Sequence, residues 1–68
     1  MFKKVEKLKD LKEGNIILTV DLNDNESLEK VKCVDNVVWT EGIIDGKENY
    51  ETEEELLNEY KTVLIIRE

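Results

Sequence analysis

Hydrophobic and polar side chains alternate in the first half of the chain, and this alternation predicts a β-strand over Asn15 to Leu22. A period of two places successive side chains on opposite faces of a sheet. One face would carry Ile16, Leu18, Val20 and Leu22, and the other would carry Ile17, Thr19 and Asp21. We expect the first of these faces to enter the core. A polar turn over 23–26 then ends the strand, because Asn and Asp side chains bond their own backbone.

A second β pattern runs from Val37 to Lys47 and contains Trp39, the only tryptophan of the chain. β-Branched and aromatic residues favour a half-buried pleated surface. Within this run, Asp45-Gly46 is typical of a two-residue type I′ turn. We therefore predict a central hairpin whose two strands, 37–44 and 47–50, pair antiparallel on either side of this turn, with the core closing over Trp39.

The flanking segments complete the sheet. Residues 28–34 are compatible with a helix turn or with a strand that enters a tight turn at Asp35-Asn36, and we favour the strand. Thr62 to Arg67 is almost continuously apolar, which is typical of a central strand or of one covered on both faces. Together these segments predict five short strands in meander order.

Two helical patterns lie outside the strands. Thr52 followed by Glu55 matches a capping box and predicts a helix of about two turns, from Glu53 to about Tyr60. Its buried stripe would consist of Leu56, Leu57 and Tyr60. Near the amino end, apolar residues recur every three positions, which suits a short amphipathic helix or a 3₁₀ arm that covers one end of the core. They are Phe2, Val5, Leu8 and Leu11.

The 68 residues are sufficient for one domain. We assign residues 1–12 to a lysine-rich amphipathic arm and residues 15–68 to the main body. Five meander strands with a two-turn helix before the last predict a mainly β fold, a small, partly open barrel of the SH3-like kind.

Four segments also resemble small SH3-like β-proteins encoded by bacteriophages, prophages and other mobile elements of Gram-positive bacteria. They are the opening Leu11 to Ile17, the turn Ile43 to Gly46, the segment Tyr50 to Leu57 and the closing strand Val63 to Arg67. The resemblance implies a fold and a phage or mobile-element origin. It implies no functional residues, since its motifs are turn and strand signals.

The negative net charge of the chain argues against one class of function, direct binding to nucleic acids. The chain has a formal net charge of -7, and residues 48–59 contain glutamates but no basic residue. Such a body repels phosphate, so direct nucleic-acid binding is not expected. The glutamates that could instead face a protein partner are Glu48, Glu51, Glu53, Glu54, Glu55 and Glu59.

The residue types argue against an enzyme. The sequence has no histidine and one cysteine, Cys33, which we expect to be a small core residue, so no histidine-dependent triad or Cys-His pair exists within one chain. An alternating oxygen pattern from Asp21 to Glu29 resembles a calcium loop, but Glu26 stands where glycine is needed and Lys32 where a bidentate glutamate is needed. We favour a plain polar turn, and expect no metal and no cofactor.

The apolar runs and the cysteine content indicate a cellular location, and the classes of function not yet excluded indicate a kind of partner. No apolar run reaches the length of a membrane span, and a lone cysteine gives no sign of an oxidising compartment, so a cytoplasmic protein without membrane contact is expected. Our first hypothesis is a protein-interaction module that uses its acidic face or a strand edge, at Thr62 to Ile66 or Asn15 to Val20. The alternatives are a nucleic-acid-mimicking inhibitor, a structural homodimer or larger homo-oligomer, and a peptide groove lined by Trp39, Tyr50 and Tyr60.

Overall fold

The computed structural model describes residues 2–68, which fold into one antiparallel sheet with a 3₁₀ turn and a short helix. The prediction of a mainly β chain is confirmed. In chain order the elements are β1 Lys3–Lys4, the 3₁₀ turn Leu8–Asp10, β2 Ile16–Asp21, β3 Glu26–Val34, β4 Val37–Gly42, β5 Glu48–Thr52, α1 Glu53–Glu59 and β6 Tyr60–Arg67.

The strands lie in the order β1-β6-β2-β3-β4-β5, so β1 and β5 form the two edges of an open sheet. The closing strand β6 returns to pair with β2, and the amino-terminal arm pairs with the other side of β6. Lys4 lies opposite Leu64 there, and the Val5 N–H donates to the Val63 carbonyl at 2.8 Å. The predicted edges at Thr62 to Ile66 and Asn15 to Val20 were therefore wrong, because both strands have neighbours on each side.

The prediction for the arm was partly right. A 3₁₀ turn forms where the three-residue spacing indicated it, and Val5, Leu8 and Leu11 are all buried. The two-residue strand β1 was not expected from that spacing. Phe2, the first residue of the pattern, is exposed. The Asp10 carboxylate accepts hydrogen bonds from the backbone N–H groups of Glu6 and Lys7, and the bond from Glu6 is the main reason that the pKa of Asp10 is lowered.

The buried face of β2 is the opposite of the one predicted. Ile17 and Thr19 are buried, whereas Ile16, Leu18 and Val20 are only half-buried on the other side. Leu22, the last residue of the predicted inner face, is exposed. Both faces of this strand are rich in apolar residues, so alternation alone does not select the inner one. The arm and α1 cover only one side of the sheet, and this selects it. The buried core consists of Val5, Leu8, Leu11, Ile17, Val31, Val38, Leu56, Val63 and Ile65.

Trp39 does not lie in the core, which corrects the expectation that the sheet closes over it. Its ring stacks on Tyr50 of the next strand, with centroids 5.7 Å apart and planes 17° apart. Cys33, predicted to be a core residue, is exposed and lies opposite Trp39 in the sheet. Leu57, also expected inside, is exposed, and so is Ile43 at the end of the predicted strand 37–44.

The central hairpin forms with a longer turn than predicted. β4 and β5 pair antiparallel, as expected, but residues 43–47 connect them instead of the two residues Asp45-Gly46. Gly46 has a φ of 68°, whereas Asp45 does not adopt a positive φ, so the type I′ assignment was wrong. The Asp45 side chain folds over Gly42 and accepts a hydrogen bond from the Lys47 N–H at 2.9 Å. Gly42 leaves space for that carboxylate, which allows the wider loop.

The prediction of five strands in meander order was wrong, because six strands form and only β2 to β5 lie side by side in chain order, whereas β6 returns to β2. The strand over residues 28–34 and the turn that follows it are confirmed. Residues 28–34 belong to β3, and Asp35-Asn36 connects it directly to β4. Asp24 has a φ of 66° in the polar turn after β2, a conformation that Asp and Asn tolerate better than most residues. No helix in residues 2–68 has the length and apolar character needed to cross a membrane.

Candidate binding surface on β5 and α1

The six predicted partner-binding glutamates lie on two consecutive elements, the edge strand β5 and the helix α1 that packs on β5 and β6. Glu48 and Glu51 belong to β5, and the others belong to α1. Glu51 is buried, with 8% of its surface exposed, so it is not part of the outer surface. We use the name acidic surface for the exposed members, which are Glu48, Glu53, Glu54, Glu55 and Glu59.

Two members of the acidic surface also stabilise the fold. The Thr52 N–H donates to Glu55 Oε1 at 2.9 Å, and the Glu55 N–H donates to Thr52 Oγ1 at 3.2 Å, which confirms the predicted capping box. Glu53 Oε2 accepts a hydrogen bond from the Leu8 N–H at 2.8 Å and so joins α1 to the arm. Glu48 and Glu54 have no such role and are the better choice for variants that test binding.

No cation neutralises the acidic surface within residues 2–68. The single salt bridge there joins Lys61 to Asp24, and both of these side chains are exposed. Acids in the first turn of a helix interact favourably with its dipole, which accounts for Glu53, Glu54 and Glu55 locally. Their combined negative potential nevertheless extends into solvent.

Glu51 points to the inner side of β5 and has a different environment. Its Oε1 accepts a hydrogen bond from the Tyr60 hydroxyl at 3.0 Å, whereas its buried Oε2 has no partner among the described residues. Burial raises the pKa of Glu51 to about 7, and the negative charges of Glu59 and Glu29 act in the same direction. Burial, followed by the charge of Glu51, likewise raises the pKa of Tyr60. Glu51 therefore takes up a proton near neutral pH.

Glu29 is a second buried carboxylate, and its inward position was not predicted from the sequence. Glu29 is buried, and its Oε1 accepts a hydrogen bond from Thr40 Oγ1 at 2.6 Å across the β3–β4 pair. A signal was present, since Glu29 has the same strand parity as Val31, a core residue. Glu29, Thr40 and Glu51 are buried polar residues of the inner face, and so is Thr19 of β2.

In the calcium-like pattern, the Asp21 side chain makes hydrogen bonds within the turn that follows β2. Asp21 Oδ1 accepts hydrogen bonds from the N–H groups of Asn23 and Asn25 at 2.8 and 2.9 Å. The bond from Asn25 is the main reason that the pKa of Asp21 is lowered. Glu29 is buried, and its carboxylate accepts hydrogen bonds from the hydroxyl groups of Thr40 and Ser27. Residues 2–68 contain no cluster of three or more His, Cys, Asp or Glu side chains arranged to hold a metal ion.

The aromatic side chains do not converge on one groove. Trp39 and Tyr50 stack on the outer face of β4 and β5, and Tyr50 is 59% exposed. Tyr60 lies at the start of β6, where it packs against the core and donates to Glu51. The predicted peptide groove lined by all three aromatics is therefore not formed, and the outer face keeps a two-ring platform beside the acidic surface.

Comparisons with known proteins gave no match: no family model, no curated protein and no solved structure is significantly similar to this chain.

Proposed function

We propose that this protein is a non-enzymatic interaction module that binds a positively charged protein partner through the acidic surface. The observation that carries the proposal is a set of exposed carboxylates on the edge strand β5 and on the helix α1 that follows it, with no ion pair to any of them in residues 2–68. Complementary charge accelerates association and makes it sensitive to salt. The chain offers little for chemistry in its place, because it has no histidine and a single cysteine.

We also propose that the sheet is a partly open barrel of the SH3-like kind. Strands β2 to β5 follow one another as neighbours, α1 comes directly before the last strand, and β6 returns to the free side of β2. This connectivity supports the proposal. The resemblance of the four sequence segments supports a phage or mobile-element origin in Gram-positive bacteria. The lone cysteine, which gives no sign of an oxidising compartment, supports a cytoplasmic location.

The test is a charge-reversal comparison with a matched control. Glu48→Lys combined with Glu54→Lys alters the acidic surface, whereas Glu13→Lys combined with Glu26→Lys makes the same change in net charge at exposed positions elsewhere. Tagged copies of the wild type and both variants are used to capture proteins from a Gram-positive bacterial lysate at low salt. We expect a partner that the wild type and the control variant retain, that the Glu48/Glu54 variant loses, and that salt releases.

Two outcomes would redirect or remove this proposal. Equal capture by both double variants would show that position on the surface does not matter, which contradicts a specific acidic site. Capture of a nucleic-acid-binding protein that added DNA or RNA displaces would favour the narrower function of a nucleic-acid-mimicking inhibitor. In that case the carboxylates occupy the partner's phosphate-binding groove.

A further inference from the structure

The direction of the backbone groups along β5 follows from one hydrogen bond at its start. In an antiparallel pair, residues alternate between those that exchange hydrogen bonds with the neighbour and those whose N–H and C=O point away. The Gly42 N–H donates to the Lys47 carbonyl at 2.8 Å, and the β4–β5 register continues from this pair without a shift. Every second residue after Lys47 therefore bonds to β4, which means Asn49 and Glu51.

The residues between them turn their backbone groups to the outside of the sheet. These are Glu48, Tyr50 and Thr52. The contact of the Thr52 N–H agrees with this assignment, since it donates to Glu55 Oε1 and not to β4. The stacking of Trp39 on Tyr50 agrees as well, because pairs that are not hydrogen-bonded bring their side chains closer together.

The outward groups of Glu48 and Tyr50 are unpaired in the described part of the chain. β5 is an edge strand, and neither residue makes a further backbone hydrogen bond within residues 2–68. Both residues are exposed. The other edge differs, because β1 has only two residues. An unpaired edge of this kind can accept a strand from another chain.

We infer that the outer edge of β5 binds an extended segment of the partner as an added strand, hydrogen-bonded to the backbone of Glu48 and Tyr50. The inference rests on the proposed function, for which it names the partner's binding segment. The segment carries lysine or arginine at alternate positions, which sets its cations over the Glu48 carboxylate and the exposed ring of Tyr50. Cross-strand pairs of opposite charge and cation–π contacts stabilise such an arrangement. A second copy of this chain would place like charges together at the same edge.

The probe is a synthetic peptide of alternating lysine and valine, six residues long and blocked at both ends. Its matched control has the same sequence with every backbone nitrogen methylated, which retains the lysine charges, removes every backbone hydrogen-bond donor and places methyl groups where an added strand would approach the edge. With ¹⁵N-labelled protein, we expect the unmodified peptide to slow amide hydrogen exchange at Glu48 and Tyr50 by about tenfold or more. The methylated peptide leaves exchange at both amides unchanged.

A pair of variants isolates the backbone contribution. Tyr50→Leu and Tyr50→Pro both remove the aromatic ring, but only proline also removes the outward backbone N–H. Proline is tolerated in an edge strand at a position whose N–H donates to no neighbouring strand. We expect the proline variant to bind the unmodified peptide roughly three- to tenfold more weakly than the leucine variant, because one hydrogen bond is lost. If the proline variant fails to fold, the comparison of the two peptides decides the question alone.

The outcomes separate this inference from the proposed function. Equal binding of both peptides, with chemical shifts that change on α1 but no protection of Glu48 or Tyr50, overturns strand addition and leaves the acidic surface intact. Failure of both peptides to bind also overturns strand addition. The charge-reversal capture experiment decides the proposed function independently, since it requires no particular conformation of the partner.

Discussion

The two sides of the segment Glu48 to Glu59 show how one acidic run is divided into different environments. Glu51 points inward, is 8% exposed and accepts a hydrogen bond from the Tyr60 hydroxyl. Glu48 and Glu54 point outward into solvent and have no ion pair within residues 2–68. The periodicity of the strand and of the helix places these side chains on different sides, a difference that composition alone does not reveal. A run of like charges is therefore not by itself a uniform surface.

The same division applies to the two leucines of α1. Leu56 is 1% exposed and belongs to the core, whereas the adjacent Leu57 is 36% exposed. Helix geometry turns neighbouring residues by about 100°, so only one of the two faces the sheet. Variants at paired inner and outer positions test this difference between the two sides.

The largest effect is expected for Leu56→Ala. Removing a fully buried leucine costs about 2–5 kcal/mol, because apolar contacts are lost and a cavity remains. Leu57→Ala, the matched outer change, is expected to cost less than about 1 kcal/mol. Urea unfolding of both variants measures the difference, and equal losses of stability would contradict the assignment of inner and outer sides.

The second effect is a dependence of stability on pH. Glu51 has a pKa of about 7 in the folded chain, whereas the ordinary value, which applies to the unfolded chain, is 4.5. Between pH 4.5 and 7 the folded state therefore binds more protons than the unfolded state. The free energy of unfolding therefore falls as pH rises from about 4.5 to 7, and this contribution is constant above that window. We expect the loss from Glu51 to be on the order of 1–3 kcal/mol.

Glu51→Gln tests this assignment, because it keeps the size of the side chain and removes its titration. The variant is expected to be more stable than the wild type at pH 8 and to lose the slope between pH 5 and 7, as measured by urea unfolding at several pH values. Glu48→Gln is the outer control and leaves the slope in place. A slope that survives in the Glu51→Gln variant would refute the role given to Glu51.

A smaller effect is expected at the junction of β5 and α1. Thr52→Ala removes the hydroxyl that accepts from the Glu55 N–H and is expected to cost about 1 kcal/mol. Thr52→Ser keeps the hydroxyl and is expected to restore most of the stability. Thermal unfolding of the two variants makes the comparison, and identical melting temperatures would show that the cap contributes nothing.

The smallest effect concerns the aromatic platform on the outer face. A double-mutant cycle with Trp39→Leu and Tyr50→Leu measures the coupling between the two rings. Stacked pairs contribute about 0.5–1.5 kcal/mol beyond their buried area. A coupling energy indistinguishable from zero in urea unfolding would mean that the rings stack without stabilising the fold.

Local signals in the sequence predicted much of the fold. The capping box at Thr52 and Glu55, the connection at Asp35-Asn36 and the strand over residues 28–34 all depend on contacts between near neighbours, and each is confirmed. The longer turn at 43–47 was missed because it depends on how the Asp45 carboxylate folds over Gly42. That contact is not encoded in the dipeptide Asp45-Gly46.

The inner face was harder to predict, because it depends on what covers the sheet. Ile16 and Ile17 are equally apolar, and the position of the arm and α1 decides which of them is buried. Trp39 was assigned to the core by its size, yet its partner Tyr50 lies across the strand pair on the outer face. For the candidate site, the sequence located the acidic segment but not the inward turn of Glu51, because the register of β5 was unknown.

The most direct test of this account is amide hydrogen exchange in the free protein, residue by residue along β5. The alternation of its backbone groups predicts protected amides at Asn49 and Glu51, which donate to β4, and unprotected amides at Glu48 and Tyr50. That result would show an open edge beside the acidic surface. Uniform protection across 48–51, or protection of Glu48 and Tyr50 in place of their neighbours, would contradict it.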